Sequence, residues 1–100
     1  MSLSDSICRT RWAHAFEEDG PEGAVYRPDD AGLPRSRRPR RRISFSPGGQ
    51  ARLLVAGPDD RLREVEARWR EENGEITVSG GEGPELRIHV QSEDRLLVRR

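Results

Sequence analysis

The stretch "ISFSPGGQARLLVA", residues 43–56, is the clearest indication of the fold, because its pattern is that of two short strands around a tight turn. Ile43 and Phe45 alternate with serines before the Gly48-Gly49 pair, and the same alternation continues after it at Ala51, Leu53 and Val55. A period of two sends alternate side chains to opposite faces of a strand. Glycine supplies the positive φ that a tight hairpin turn requires. The stretch therefore predicts an antiparallel hairpin with one face on a core.

The same pattern continues through the second half of the chain. Turn-forming clusters recur at short intervals, at "AGPDDR" (56–61), "EENGE" (71–75), "SGGEGPE" (79–85) and "SEDR" (92–95). The segments between them alternate again, with apolar positions at Ile76, Val78, Leu86, Ile88 and Val90. Short alternating strands separated by regular turns are typical of an antiparallel meander.

Residues 59–74, "DDRLREVEARWREENG", fit two structures. As a helix, the segment has Asp59 or Asp60 as its N-cap and Gly74 just past its end, and Glu, Arg and Ala favour that conformation. As a strand, it points Val65, Ala67 and Trp69 to the core. We predict the strand, because a missing strand would interrupt the pairing of successive hairpins.

The first half is less regular. "RWAHAF" (11–16) predicts a first strand with Trp12, His14 and Phe16 on one face, and residues 1–9 are expected to be a frayed terminus. "AVYRP" (24–28) predicts a short edge strand that Pro28 ends, because proline cannot donate a ladder hydrogen bond. It interrupts a long connection, rich in arginine and proline, that covers residues 17–42.

Composition limits the function as well as the fold. One hundred residues suffice for a single domain, which we place at 1–100. Hydrophobic residues make up 32% of the chain and charged residues 36%, a composition that predicts a thin core. The cationic residues are all arginine, yet the net charge is zero, which argues against a dedicated DNA-binding domain. One cysteine excludes an internal disulfide. A membrane span and a signal peptide are not apparent, so we expect a cytoplasmic protein without membrane contact.

These patterns predict an all-β, antiparallel small barrel or strongly curved sheet of six to eight strands. Its predicted core consists of Trp12, Phe16, Phe45, Leu53, Val55, Val65, Trp69, Ile76, Val78, Leu86, Ile88, Val90 and one of Leu96 and Val98.

Several short motifs follow one another in a recognisable order. Trp12 and "EED" (17–19) precede "VYRP" (25–28) and "LPRSRRPRR" (33–41), which are followed by "GPDDR" (57–61) and Trp69. This order resembles a group of small uncharacterised bacterial proteins with the pattern W…EED…YRP…P-SRGR…F-x-x-x-G…GP-x-D-R…W. The early Trp and the second Trp in mid-chain are also similar to lipocalin-like small β-barrels. The resemblance implies a strand at 63–70 and brings no assigned activity.

The sequence offers little support for an enzyme. Nucleophilic catalysis needs a serine or cysteine beside a base, and His14 and His89 are the only imidazoles. Two separated histidines do not make a zinc site, and "SGGEGPE" lacks the pattern of a phosphate-binding loop. We therefore expect no cofactor, no metal and no catalysis. An enzyme without a recognisable motif is kept as a third hypothesis, after the two binding hypotheses that follow.

The arginines suggest two binding hypotheses. In the first, Arg27, Arg37 and Arg41, with Tyr26 in the same "YRP" motif, bind the carboxylate or phosphate of a small acidic ligand or protein partner at one barrel end. The same arginines could instead pair internally with Glu17, Glu18 and Asp19 and tie the long connection across one barrel end, and we favour this internal pairing.

In the second hypothesis, residues 35–42 form a basic arm for nucleic acid, although no aromatic residue interleaves with the arginines. Its candidate contacts are Arg35, Arg37, Arg38, Arg40, Arg41 and Arg42. The sequence does not indicate the ligand or the oligomeric state.

Overall fold

A computed structural model of the chain describes residues 7–35, 39–57, 59, 61–81 and 85–99. Its strands are β1 (Arg11–His14), β2 (Gly23–Pro28), β3 (Arg42–Ser46), β4 (Gln50–Ala56), β5 (Leu62–Glu72), β6 (Glu75–Ser79), β7 (Leu86–Ser92) and β8 (Arg95–Arg99). They form a closed antiparallel barrel, and a short 3-10 turn, Phe16–Glu18, follows β1. The predicted all-β barrel is confirmed at eight strands, and β5 confirms that the segment after Asp59 is a strand, at Leu62–Glu72. In the described part of the chain, no helix is long and apolar enough to cross a membrane.

The strands β3 to β8 form the predicted meander, each pairing with the next along the chain. The barrel closes differently, because β1 lies between β2 and β3 and β2 pairs with β8. The prediction that residues 24–28 form an edge strand is therefore wrong, since both sides of β2 are paired. Pro28 is the last residue of β2, as predicted.

The connection between β2 and β3 must travel along β1, because β2 and β3 run in the same direction on either side of it. Pro28 pairs with Trp12 near the start of β1, whereas Arg42 pairs with Ala13 near its end. Backbone hydrogen bonds join the connection to both ends of β1: Asp29 N donates to Arg11 O at 2.9 Å, and His14 N donates to Arg41 O at 2.8 Å.

The barrel interior is filled by side chains of the predicted parity. Trp12, Phe45, Ile76, Ile88 and Leu96 are all at most 3% exposed. Leu96 and Val98 are both buried, although only one of them was expected in the core. Leu53, Trp69, Leu86 and Val90 pack against this cluster while half-buried.

Two predictions near the start of the chain are wrong. Phe16 is 46% exposed, because β1 ends at His14 and the chain turns away before Phe16 can continue the inward alternation. The expectation of a frayed terminus over residues 1–9 is wrong at Ile7, whose side chain is 1% exposed and lies in the core, and residues 1–6 are outside the described residues. Trp12 Nε1 donates to Ile7 O at 3.3 Å, which holds that residue against the barrel.

A second apolar cluster lies on the outside of the barrel. Val25 and Leu97 have the parity opposite to the core residues Tyr26 and Leu96, yet they are buried, together with Ala15 and with Leu33 packed against them. The described connecting segments on this side, 15–22, 29–35 and 39–41, are called the outer layer below. Its residues Ala15 and Leu33 pack against Val25 of β2 and Leu97 of β8.

Gly23 stands where β2 meets β8 and has a φ of 152°, a conformation that side-chain-bearing residues rarely adopt. A Cβ at this position would lie 2.1 Å from the carbonyl oxygen of Val98. The close approach of the two backbones at the closure of the barrel therefore requires glycine.

Candidate functional site

Two arginines of the outer face converge on one carboxylate. Arg27 Nε donates to Glu18 Oε2 at 2.9 Å and Arg27 Nη2 donates to Glu18 Oε1 at 3.0 Å, which is the bidentate geometry. Arg95 Nη1 donates to the same Oε1 at 3.2 Å. Asp94 Oδ2 lies 3.4 Å from Arg27 Nη1 at the rim. The expected internal pairing of Arg27 with the "EED" acids is therefore confirmed, with Glu18 as the partner.

The hydrogen bonds and charges of this cluster favour the ionised forms of Glu18 and Arg27. Hydrogen bonds from Arg27, helped by the positive charge of Arg27 and Arg95, lower the pKa of Glu18 against an opposing effect of its partial burial. The hydrogen bond to Glu18 raises the pKa of Arg27 in turn. Within the described residues, the buried Nε of Arg95 has no hydrogen-bond acceptor. Glu18 therefore accepts from two nitrogens of Arg27 and from one nitrogen of Arg95.

Arg40 fixes the outer layer from the other side. Its Nη1 donates to His14 O and to Glu17 Oε1, both at 2.8 Å, and its Nη2 donates to Glu17 Oε2 at 2.5 Å and to Pro34 O at 2.6 Å. Its guanidinium carbon lies 4.6 Å from the centre of the Phe16 ring, a cation–π contact. The side chain is only 9% exposed. Arg40 thus has a structural role in the layer.

His14, Tyr26 and Asp19 form a third polar group at the end of β1. The His14 ring stacks on Tyr26 with ring centres 5.1 Å apart, and His14 Nε2 lies 2.8 Å from Asp19 Oδ2. Asp19 Oδ1 also accepts the backbone N–H of Val25 at 2.9 Å. Burial raises the pKa of Tyr26 to about 12, and the nearby positive charge of Arg41 opposes that shift. The arrangement holds the phenol neutral and the turn after β1 in place.

The predicted ligand-binding residues do not form one site. Tyr26 and Arg27 are neighbours on a strand and point to opposite faces, so Tyr26 joins the core and Arg27 joins the outer face. Arg41 is exposed and acts electrostatically on Tyr26, away from the carboxylate that binds Arg27. Arg37 lies outside the described residues.

The residues predicted for nucleic acid are also divided. Arg35 and Arg41 are exposed, and Arg42 Nη1 lies 3.7 Å from Asp29 Oδ2 on the outer face. Arg40 is held inside the outer layer, as described above. Arg37 and Arg38 are outside the described residues.

Sequence reasoning missed Arg95. It follows the turn between β7 and β8, and the register that pairs Tyr26 with Leu96 continues to place Arg27 beside Arg95. The sequence analysis placed Arg95 only in a turn cluster, and its neighbour depends on the pairing of β2 with β8, which no local signal indicates.

The described residues contain no group of three or more His, Cys, Asp or Glu side chains that could hold a metal ion. Comparison with known proteins gives no relative from which a role could be transferred. No protein-family model matches the chain, no curated protein matches it, and no solved structure matches it.

Proposed function

We propose that this protein is a non-enzymatic binding barrel that takes the carboxylate of a small acidic ligand at Arg27 and Arg95. The observation that carries the proposal is the convergence of both guanidinium groups on a single carboxylate, that of Glu18. A bidentate arginine with a second cation beside it is an arrangement that recognises carboxylates through charge-assisted hydrogen bonds. Glu18 occupies the place of the ligand.

Exchange of Glu18 for a ligand is energetically reasonable. Glu18 belongs to a 3-10 turn of three residues, and its side chain is 32% exposed. Ion pairs in this degree of contact with water contribute little net stability, because water competes for both partners. The free Nε of Arg95 gives an incoming carboxylate one donor that Glu18 does not use.

The outer surface suits this role better than the barrel interior. Interior positions are occupied by large side chains such as Trp12 and Phe45. An eight-stranded barrel encloses a space that side chains can fill or that one small ligand can share. We therefore assign the ligand to the outer face. A lipocalin-like barrel, a bacterial source and a cytoplasmic location, which the sequence suggests, belong to the same proposal.

The alternative of a basic nucleic-acid arm over residues 35–42 has less support. Arg40 donates to groups of the outer layer and so does not belong to a projecting arm. Arg35 and Arg41 stay as exposed cations that could meet a phosphate backbone.

The test uses Glu18→Gln, which keeps the side-chain shape and removes the charge. Succinate, citrate and a glutamate-rich peptide are titrated while the arginine Nε–Hε resonances are followed by NMR. Removing the internal carboxylate should tighten binding at Arg27 and Arg95 a few-fold, and adding Arg27→Gln to the same variant should abolish it. Glu72→Gln is the control, because Glu72 meets Arg70 at 3.5 Å elsewhere on the surface. Equal affinity of the Glu18 and Glu72 variants would exclude the proposed site.

A further inference from the structure

Ser44 lies at the centre of an arginine cluster on a different part of the barrel surface. It has the parity opposite to Ile43 and Phe45, so it faces outward, and it is half-buried. Its cross-strand partner on β1 is Arg11 and its partner on β4 is Arg52. Arg42, two residues earlier on β3, shares its face. These residues, Arg11, Arg42, Ser44 and Arg52, are called the Ser44 cluster.

Strand geometry places the three guanidinium groups within reach of one point. Directly opposed residues of an antiparallel pair have Cβ atoms about 5 Å apart, and residues two apart along a strand are separated by about 7 Å. An arginine side chain is long enough to span either distance. The three side chains can therefore turn their donors toward a group placed above the Ser44 hydroxyl.

The acids near this cluster neutralise it only weakly. Arg52 Nε lies 3.4 Å from Glu64 Oε1 and Arg42 Nη1 lies 3.7 Å from Asp29 Oδ2, and the two arginine side chains are 65% and 45% exposed. Pairs this exposed and this long contribute little net stability. Glu66 is the next partner of Arg52 across the sheet and limits the cluster on its β5 side.

Arg11 marks the open side of the cluster. Its side chain is exposed, and in the described part of the chain no ion pair engages it. Like charges on neighbouring strands repel one another, so an anion bound among the three arginines would be stabilised by all of them.

We propose that the Ser44 cluster binds the phosphate group of a small phosphomonoester. A tetrahedral phosphate dianion offers three terminal oxygens to three guanidinium groups, and the Ser44 hydroxyl can donate to one of them. A planar carboxylate has two oxygens and therefore offers these donors fewer acceptor atoms. The site is separate from Arg27 and Arg95, and its ligand differs in shape and charge.

The experiment titrates the full chain with inorganic phosphate, glycerol phosphate, sulfate and the monoanionic diester dimethyl phosphate, following the Ser44 amide and arginine Nε–Hε resonances by NMR. Glycerol phosphate should saturate the site, and the diester should bind at least tenfold more weakly. Affinity should rise from pH 5 to pH 7, because the second pKa of a phosphomonoester is about 6. Inorganic phosphate binding as tightly as glycerol phosphate would assign the site to the free ion and overturn the ester proposal.

Arg11→Gln and Arg52→Gln should each weaken glycerol phosphate binding at least tenfold, and Ser44→Ala should weaken it a few-fold. Arg87→Gln is the matched control, since Arg87 is an exposed arginine on the outer face of β7. Glu18→Gln should leave this affinity unchanged, which separates the result from that of the carboxylate site. The proposal is overturned by equal losses in the Arg87 and Arg11 variants, by the absence of saturation, or by single-stranded DNA displacing the ester at equal phosphate concentration.

Discussion

Replacing Gly23 by alanine should open the barrel where β2 meets β8. The new Cβ would lie 2.1 Å from Val98 O, whereas a carbon–oxygen contact is ordinarily about 3.3 Å, so the two backbones must separate by about 1 Å. Forcing a side chain into a φ of 152° adds strain of about 1–3 kcal/mol. Gly23 exchanges its own backbone hydrogen bonds with Gly20, so the ladder bonds at risk are the two of the neighbouring Ala24–Val98 pair, and weakening them adds about 0.5–1.5 kcal/mol each.

The expected loss in the free energy of unfolding is therefore about 2–6 kcal/mol, a large share of the 5–15 kcal/mol typical of a domain. The melting temperature should fall by about 8 °C or more. Gly20 is the matched control, because a Cβ there meets nothing within 4 Å and its φ is not positive.

Gly20→Ala should stabilise the protein by about 0.4–1 kcal/mol by restricting the unfolded chain. Urea unfolding followed by tryptophan fluorescence measures both variants. The reasoning is refuted if Gly23→Ala unfolds at the same urea concentration as Gly20→Ala or at a higher one.

Two further predictions concern titration. Hydrogen bonds from Arg40 lower the pKa of Glu17 from 4.5 to about 2, so the stabilising effect of Glu17 is complete above pH 4.5 and is lost as the pH falls toward 2. The variant Glu17→Gln should therefore lose less of its melting temperature than the parent protein between pH 4.5 and pH 2. An equal loss in both proteins would contradict the pairing with Arg40. Burial raises the pKa of Tyr26, the only tyrosine, to about 12, so the stabilisation it provides is present below pH 10 and disappears as the pH rises through 12. Ultraviolet absorbance of tyrosinate should show this late midpoint in the native protein and an ordinary one in urea, and a native midpoint near 10 would contradict burial of the phenol.

The strands could be predicted from sequence because their signals are local. Alternation and glycine turns fix the parity of residues such as Ile43 and Val78, and parity is enough to assign a core face. The same reasoning was wrong at Phe16, because the chain leaves the strand after His14 and parity has no meaning beyond a strand's end.

Closure of the barrel could not be predicted, because it depends on pairings between distant segments. Nothing near residues 24–28 indicates that they pair with residues 96–99, and so the meeting of Arg27 with Arg95 was hidden. The arginine run shows the same limit. Its charge was evident, but only the path of the connection along β1 decides that Arg40 enters the outer layer while Arg41 stays exposed.

The pairing of β2 with β8 has a consequence for synthesis of the chain. β2 is among the first strands to leave the ribosome, and its partner is the last of the eight. Until then, β2 presents unpaired backbone groups on one side, which invite pairing with another nascent chain. Closure also joins residues separated by most of the chain, which slows folding. We expect ribosome-stalled chains that lack β8 to be protease-sensitive and prone to aggregate, because β2 then has no partner strand on that side.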